Sequence, residues 1–132
     1  MNRTYFLYAE DDQDEIDLLK EILGDNGGLS EIVSVSNGFD LISYLQKINK
    51  NHSFPSLIIL DKKMPRLNGL ETLKLLKTDD LYRLIPVVLF SSVFSKSEMD
   101  ICNSLGAEIL LKPSEYANWN KVKNQMYNYL DE

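Results

Sequence analysis

Apolar runs of four or five residues alternate along this chain with longer stretches whose apolar positions recur every three or four residues. Tyr5–Ala9 is a short apolar and aromatic run suited to a buried strand. Ile16, Leu19, Ile22 and Leu23 follow at helical spacing, and Gly24 with the Gly27-Gly28 pair closes that helix. Glu31–Val35 reads as a second, β-branched strand, and Phe39, Ile42, Leu45 and Ile48 give the next helix one apolar face from about Gly38. Pro55 precedes Leu57-Ile58-Ile59-Leu60, a continuous apolar run that stops abruptly at Asp61. Leu70, Leu73 and Leu76, with Leu75 alongside, predict a third helix after Gly69. Pro86 opens Val87-Val88-Leu89-Phe90, which ends at Ser91-Ser92. Ser95-x-x-Glu98 matches a capping box heading a short fourth helix with Met99 and Leu105, closed by Gly106. Ile109-Leu110-Leu111 is a fifth strand stopping at Lys112-Pro113, and Trp119, Val122, Met126 and Leu130 mark a last helix.

The pattern is a strand followed by a helix, five times over. Strands that are apolar throughout are buried on both faces of a parallel sheet, with helices covering each side. Right-handed crossovers then leave few topologies. The expected one is a flavodoxin-like (βα)5 three-layer sandwich with a parallel five-stranded sheet in the order 2-1-3-4-5. Its site would lie at the carboxyl ends of the strands, around the switch point.

Composition narrows the function classes. A chain of 132 residues, 44% apolar and 26% charged, suits one soluble globular domain spanning residues 1–132. The formal net charge of -6 argues against a nucleic-acid surface, which needs a basic stripe. Cys102 is the only cysteine, which excludes an internal disulfide and favours a small core residue in a reducing cytoplasm. No apolar stretch approaches the ~18 residues of a membrane span.

The residues after each apolar run carry the chemistry. Glu10, Asp11 and Asp12 follow the first, Asp61 the third, Ser91 and Ser92 the fourth, and Lys112 the fifth. On one sheet edge these become a cleft of carboxylates with a hydroxyl and an ammonium. Crowded carboxylates either take protons or gather a cation, and a hard dication with oxygen ligands is the natural partner. Such a cleft suits a phosphoryl group arriving on Asp61, because phosphoryl transfer asks chiefly for positioning and charge neutralisation. Asp12 fits a plain helix cap favoured by the helix dipole. A calcium loop over Asp12, Asp14 and Asp17 is excluded, since its sixth position is Asp17 rather than Gly and its twelfth is Leu23 rather than Glu. His52, between Asn51 and Ser53, reads as a surface residue rather than a relay histidine.

The segments FLYAEDD, LIILDKKMPRLNGLE, PVVLFSS and LLKP, in that order, resemble the motif regions of the receiver domain of bacterial two-component response regulators, of the stand-alone, single-domain type. The likeness covers essentially the whole chain. It implies that Glu10 and Asp11 bind Mg2+ (or Mn2+), that Asp61 accepts the phosphoryl group, and that the backbone carbonyl of Lys63 is a further metal ligand. It also implies that Ser91 and Lys112 hold the phosphoryl oxygens, that the bond to Pro113 is cis, and that Met64-Pro65 and Gly69 shape the turn after the acceptor. The expected donor is a sensor histidine kinase or a histidine phosphotransfer protein. A downstream protein would read the face of helix 4, strand 5 and helix 5. The expected protein is cytoplasmic, a monomer or weak homodimer, with no output domain after residue 132, no nucleic-acid or membrane partner, and no activity beyond its own phosphorylation and dephosphorylation.

Two positions depart from the family pattern. Ile109, three before Lys112, stands where an aromatic residue often reports activation. Lys63, two after Asp61, stands where the side chain helps set phosphoryl lifetime; it either reaches back over that group or points to solvent. A phosphatase of the haloacid dehalogenase type would need a second Asp at position 63, where Lys63 stands. The remaining alternative is a phosphorylation-independent interaction module of the same fold. Tyr116, Trp119, Tyr127 and Tyr129 divide between core and surface, and any exposed set would mark a partner face.

Overall fold

β3 (Leu57–Asp61) and β4 (Val87–Ser91) are buried along their whole length, as their unbroken apolar runs require. They form the centre of a parallel sheet completed by β1 (Thr4–Ala9), β2 (Ser30–Val35) and β5 (Glu108–Leu111), in the order β2-β1-β3-β4-β5. Five helices alternate with the strands: α1 (Gln13–Leu23), α2 (Gly38–Ile48), α3 (Gly69–Lys77), α4 (Lys96–Ser104) and α5 (Trp119–Tyr129), the last preceded by a 3-10 turn at Tyr116–Asn118. The computed structural model describes residues 4–24, 30–48 and 53–130. Gly27, Gly28 and His52 lie outside the described residues.

Alternation along each strand sends successive side chains to opposite faces and builds two cores. Phe6, Tyr8, Ile59 and Phe90 meet Ile16 and Leu19 of α1 and Trp119, Val122 and Met126 of α5 on one side. Leu7, Ile58, Leu60 and Leu89 meet Leu41 and Leu45 of α2, Leu73 and Leu76 of α3 and Cys102 of α4 on the other. Each such aliphatic side chain contributes about 1.5–3 kcal/mol on burial.

The helix starts are made by side chains. The Asp12 carboxylate accepts from the N–H groups of Asp14 and Glu15, which accounts for the third acid of the Glu10-Asp11-Asp12 run. Ser95 and Glu98 form the expected capping box on α4, and Asn68 and Glu71 form an unanticipated one on α3.

Several apolar positions fall elsewhere than their spacing suggests. Phe39 is exposed, because the face of α2 that meets the sheet carries Leu41 and Leu45; the Arg66 guanidinium lies over its ring at 4.5 Å. Met99 and Leu75 are also exposed, because one turn on α4 and α3 the sheet contact is made by Cys102, and by Leu73 and Leu76. β5 is an edge strand, so only Leu110 is buried on it and Leu111 is 58% exposed. Of the four aromatic residues near the C-terminal end, Tyr116 sits on the 3-10 turn and is exposed, whereas Trp119 is buried.

Candidate functional site

Register brings the acidic residues together. Ala9 pairs with Leu60 across β1 and β3, so the next residues, Glu10 and Asp61, emerge side by side at the carboxyl edge. Asp61 pairs with Phe90 and Ser91 with Leu111, which places Ser91 and Lys112 along the same edge. Gly69 allows this arrangement at the head of α3: a Cβ there would strike the Asp61 carbonyl oxygen and stand 3.0 Å from Lys62 Cα. The glycine is needed for close approach, not for an unusual backbone angle.

Carboxylate oxygens of Glu10, Asp11 and Asp61 all lie within 4.8 Å of one another. Glu10 and Asp61 are buried, whereas Asp11 is exposed. Lys112 Nζ sits among the carboxylates, 2.9 Å from Glu10 Oε1, 2.9 Å from Glu15 Oε2 and 3.0 Å from Asp61 Oδ1. The rest of the Glu10 carboxylate is also held: the Tyr8 hydroxyl donates to Oε1 at 3.2 Å, and the N–H groups of Asp11 and Asp12 donate to Oε2 at 3.1 and 3.2 Å. Four donors fill the lone pairs of that carboxylate. Glu10 would therefore reach a cation only through a water molecule, or by giving up one of its donors.

Burial pushes the Asp61 carboxyl up to about 6; Lys112 opposes the rise and the Glu10 charge adds to it. Glu10 is raised as well, first by burial, with Lys112 pulling it down and Glu15 pushing it up. Burial alone would depress the Lys112 ammonium, yet its bonds to Glu10 and Glu15 and the Asp61 charge leave it raised. The site is short of positive charge. A dication among three carboxylates with hard oxygen donors would supply it, and the donor set fits magnesium or manganese.

Ser91 is buried at the end of β4, where its Oγ accepts from the Val93 N–H at 3.5 Å and its carbonyl accepts from the Lys112 N–H at 2.8 Å. Glu15, Asp61, Lys63, Ser91, Lys112 and Pro113 are among the residues around one open cleft of about 320 Å³. A neighbouring cleft of about 420 Å³ runs past Asp11, Lys62, Met64 and Pro65. The Lys63 side chain is exposed at the mouth of both.

Glu10, Asp11, Asp61, Lys63, Ser91 and Lys112 thus arrive at one edge, and one expectation beside them is corrected. The peptide bonds between described residues are all trans, including Lys112–Pro113. The trans form is the lower-energy one even before proline, and here the Pro113 carbonyl accepts from Trp119 Nε1 at 3.2 Å.

Three nearby side chains were given no role from the sequence. Tyr8 carried a signal, since residues two apart on a strand share a face and Tyr8 therefore points with Glu10. Glu15 carried none beyond an acidic first helical turn, which needs no partner. Lys62 turns away from the cleft: its ammonium bonds the Val93 carbonyl at 2.6 Å and Glu98 Oε1 at 3.1 Å, 5.3 Å from the Phe94 ring centre.

Residues 6–121 match the family model of the response regulator receiver domain. The chain belongs to that family. The receiver is 35% identical over 113 residues to a protein-glutamate methylesterase/protein-glutamine glutaminase of Clostridium acetobutylicum, a match covering 83% of this chain and 30% of that protein. It shares its fold with the phosphorylated cyanobacterial phytochrome response regulator RcpA, with a TM-score of 0.88 at 24% identity, covering 98% of this chain and 95% of that one. A two-component response regulator from Legionella pneumophila superposes with a TM-score of 0.80 at 27% identity, covering 98% of each chain. The receiver spans 30% to 47% of the length of the first curated relatives it matches. Among the described residues no helix is long and apolar enough to cross a membrane.

Proposed function

We propose that residues 1–132 act as one phosphorylation-controlled receiver in which Asp61 accepts a phosphoryl group. The observation that carries this is the convergence of Glu10, Asp11 and Asp61 with Lys112 and Ser91 at one sheet edge, drawn from the ends of four strands. An Asp61 oxygen attacks the phosphorus of a phosphohistidine on a sensor kinase or phosphotransfer protein. The O–P bond forms as the N–P bond breaks, and the departing imidazole takes up a proton. Lys112 and Ser91 offer donors to the phosphoryl oxygens, and the cleft leaves room for the group.

Asp11, Asp61 and the Lys63 carbonyl would hold Mg2+ (or Mn2+), with Glu10 joining through water or after exchange. Such an ion supplies positive charge against the carboxylates and the phosphoryl oxygens. Water attack on the acyl phosphate resets the protein, and the exposed Lys63 ammonium at the cleft mouth is placed to modulate that step. The message leaves by population shift around the loop after Ser91. Val93, Met99, Leu111 and Tyr116 are exposed apolar side chains on α4, β5 and their flanking loops, and this supports a downstream protein reading that face.

The test is incubation with acetyl phosphate and Mg2+, followed by intact-mass measurement of wild type and Asp61→Asn. A gain of one phosphoryl mass in the wild type alone is expected. No gain in either protein would instead favour a phosphorylation-independent interaction module, a reading to which the partly buried, aliphatic Ile109 lends its one support.

A further inference from the structure

An ammonium group has three N–H donors and no acceptor. Lys112 spends all three on carboxylates: Glu10, Glu15 and Asp61, each within 3.0 Å. A phosphoryl group on Asp61 brings new oxygens beside this ammonium, and Lys112 turns to them only by releasing one of its three partners. The partners differ in how readily they leave. Glu10 is 1% exposed and anchored by the Asp11 and Asp12 N–H groups and the Tyr8 hydroxyl. Asp61 carries the phosphoryl group. Glu15 stands on the first turn of α1 with its side chain 29% exposed, so water replaces Lys112 there at little cost. Its carboxylate also borders the cleft that Asp61, Ser91 and Lys112 surround.

We propose that Glu15 is a positioning residue that competes with the phosphoryl group for Lys112, its carboxylate occupying in the resting receiver the donor that a phosphoryl oxygen takes after transfer. The proposal deepens the function above and rests on Asp61 being the phosphoacceptor. Charge points the same way. Glu10, Asp61 and Glu15 share the one Lys112 ammonium, with Asp11 beside Glu10 and Asp61, and a further anion enters against all four carboxylates. Glu15 stands outside the Glu10, Asp11 and Asp61 group that could hold a cation, so its charge opposes the incoming anion without serving as a ligand.

Beryllium fluoride with Mg2+ is the probe, a non-covalent stand-in for the phosphoryl group, with its affinity read by calorimetry at saturating Mg2+. Glu15→Gln keeps the shape and removes the charge, and it should bind beryllium fluoride about fivefold more tightly than wild type. Glu15→Asp keeps the charge but draws it back by one methylene, and it should fall between the two. Labelling by acetyl phosphate should quicken in the same order. A carboxylate that merely neutralised Lys112 would lower the melting temperature when removed and leave anion affinity unchanged or weaker. That result, in either folded variant, overturns the proposal. Should wild type itself neither bind beryllium fluoride nor take label, the assignment of Asp61 fails and this proposal falls with it. Binding by wild type with equal affinity in the variants would sink the Glu15 role alone.

Discussion

Lys112 Nζ lies 3.0 Å from Asp61 Oδ1 across an intervening strand, and 5.5 Å from the centre of the Phe90 ring. β4 separates the two parent strands, so the lysine must reach over Phe90 to find the carboxylate. The contact is part-buried and serves several charges at once, so its loss has a large effect. Truncating one partner of a buried ion pair typically costs about 3–5 kcal/mol.

Lys112→Met should accordingly destabilise the protein by about 3 kcal/mol in metal-free buffer at pH 8. The loss should shrink toward pH 5, as the carboxylates that Lys112 had compensated take up protons. Urea unfolding at several pH values measures both. A pH-independent loss would show that the lysine acts through packing alone.

Asp61→Asn should move stability the other way. The Asp61 carboxyl is raised from 3.8 to about 6, chiefly by burial. A carboxyl raised in the folded state binds its proton more tightly there than in the unfolded chain. Its stabilising contribution is full below about pH 4 and is lost as pH rises through about 6. The neutral asparagine escapes that loss. We expect it to exceed wild type by about 1–2 kcal/mol at pH 7.5 without metal, and to match it near pH 4. Lower stability of Asp61→Asn at pH 7.5 would contradict the strained, cation-poor site described here.

Gly69→Ala tests how the acceptor is seated. The added methyl meets the Asp61 carbonyl oxygen and crowds Leu89 Cδ1 and Lys62 Cα at 3.0 Å, mostly rigid surroundings. A loss of about 1–3 kcal/mol is expected, together with slower labelling by acetyl phosphate. Normal stability with normal labelling would mean that the loop yields without disturbing Asp61.

Lys62 ties the loop after Ser91 to the residue following the acceptor, through the Val93 carbonyl and Glu98. Lys62→Met should speed amide exchange at Val93, whose N–H donates to Ser91 Oγ, by about fivefold. The mutual bonds of Ser95 and Glu98 should keep α4 capped. Unchanged exchange would remove Lys62 from the control of that loop.

Much of the fold was legible because β3 and β4 are apolar on both faces, which only a central parallel strand requires. The edge strand β5 looked the same in sequence, yet half of it faces outward; a run of three apolar residues does not say how many neighbours a strand has. Spacing likewise placed a helix over Phe39 and Met99 without deciding which residue of each turn meets the sheet. The site was readable wherever its residues end a strand, since topology alone gathers Glu10, Asp61, Ser91 and Lys112. Glu15 was not, because its role exists only through Lys112, a residue 97 positions away. The isomer at Lys112–Pro113, expected cis from family likeness, is trans.

The most direct measurement is chemical trapping after incubation with acetyl phosphate and Mg2+. Borohydride reduces an aspartyl phosphate to homoserine, and peptide mass mapping then locates the changed residue. Conversion at position 61, dependent on Mg2+, is the predicted result. Conversion at Asp11 or another carboxylate, or none at any residue while the protein stays folded and metal-bound, would contradict the assignment of Asp61 as the acceptor.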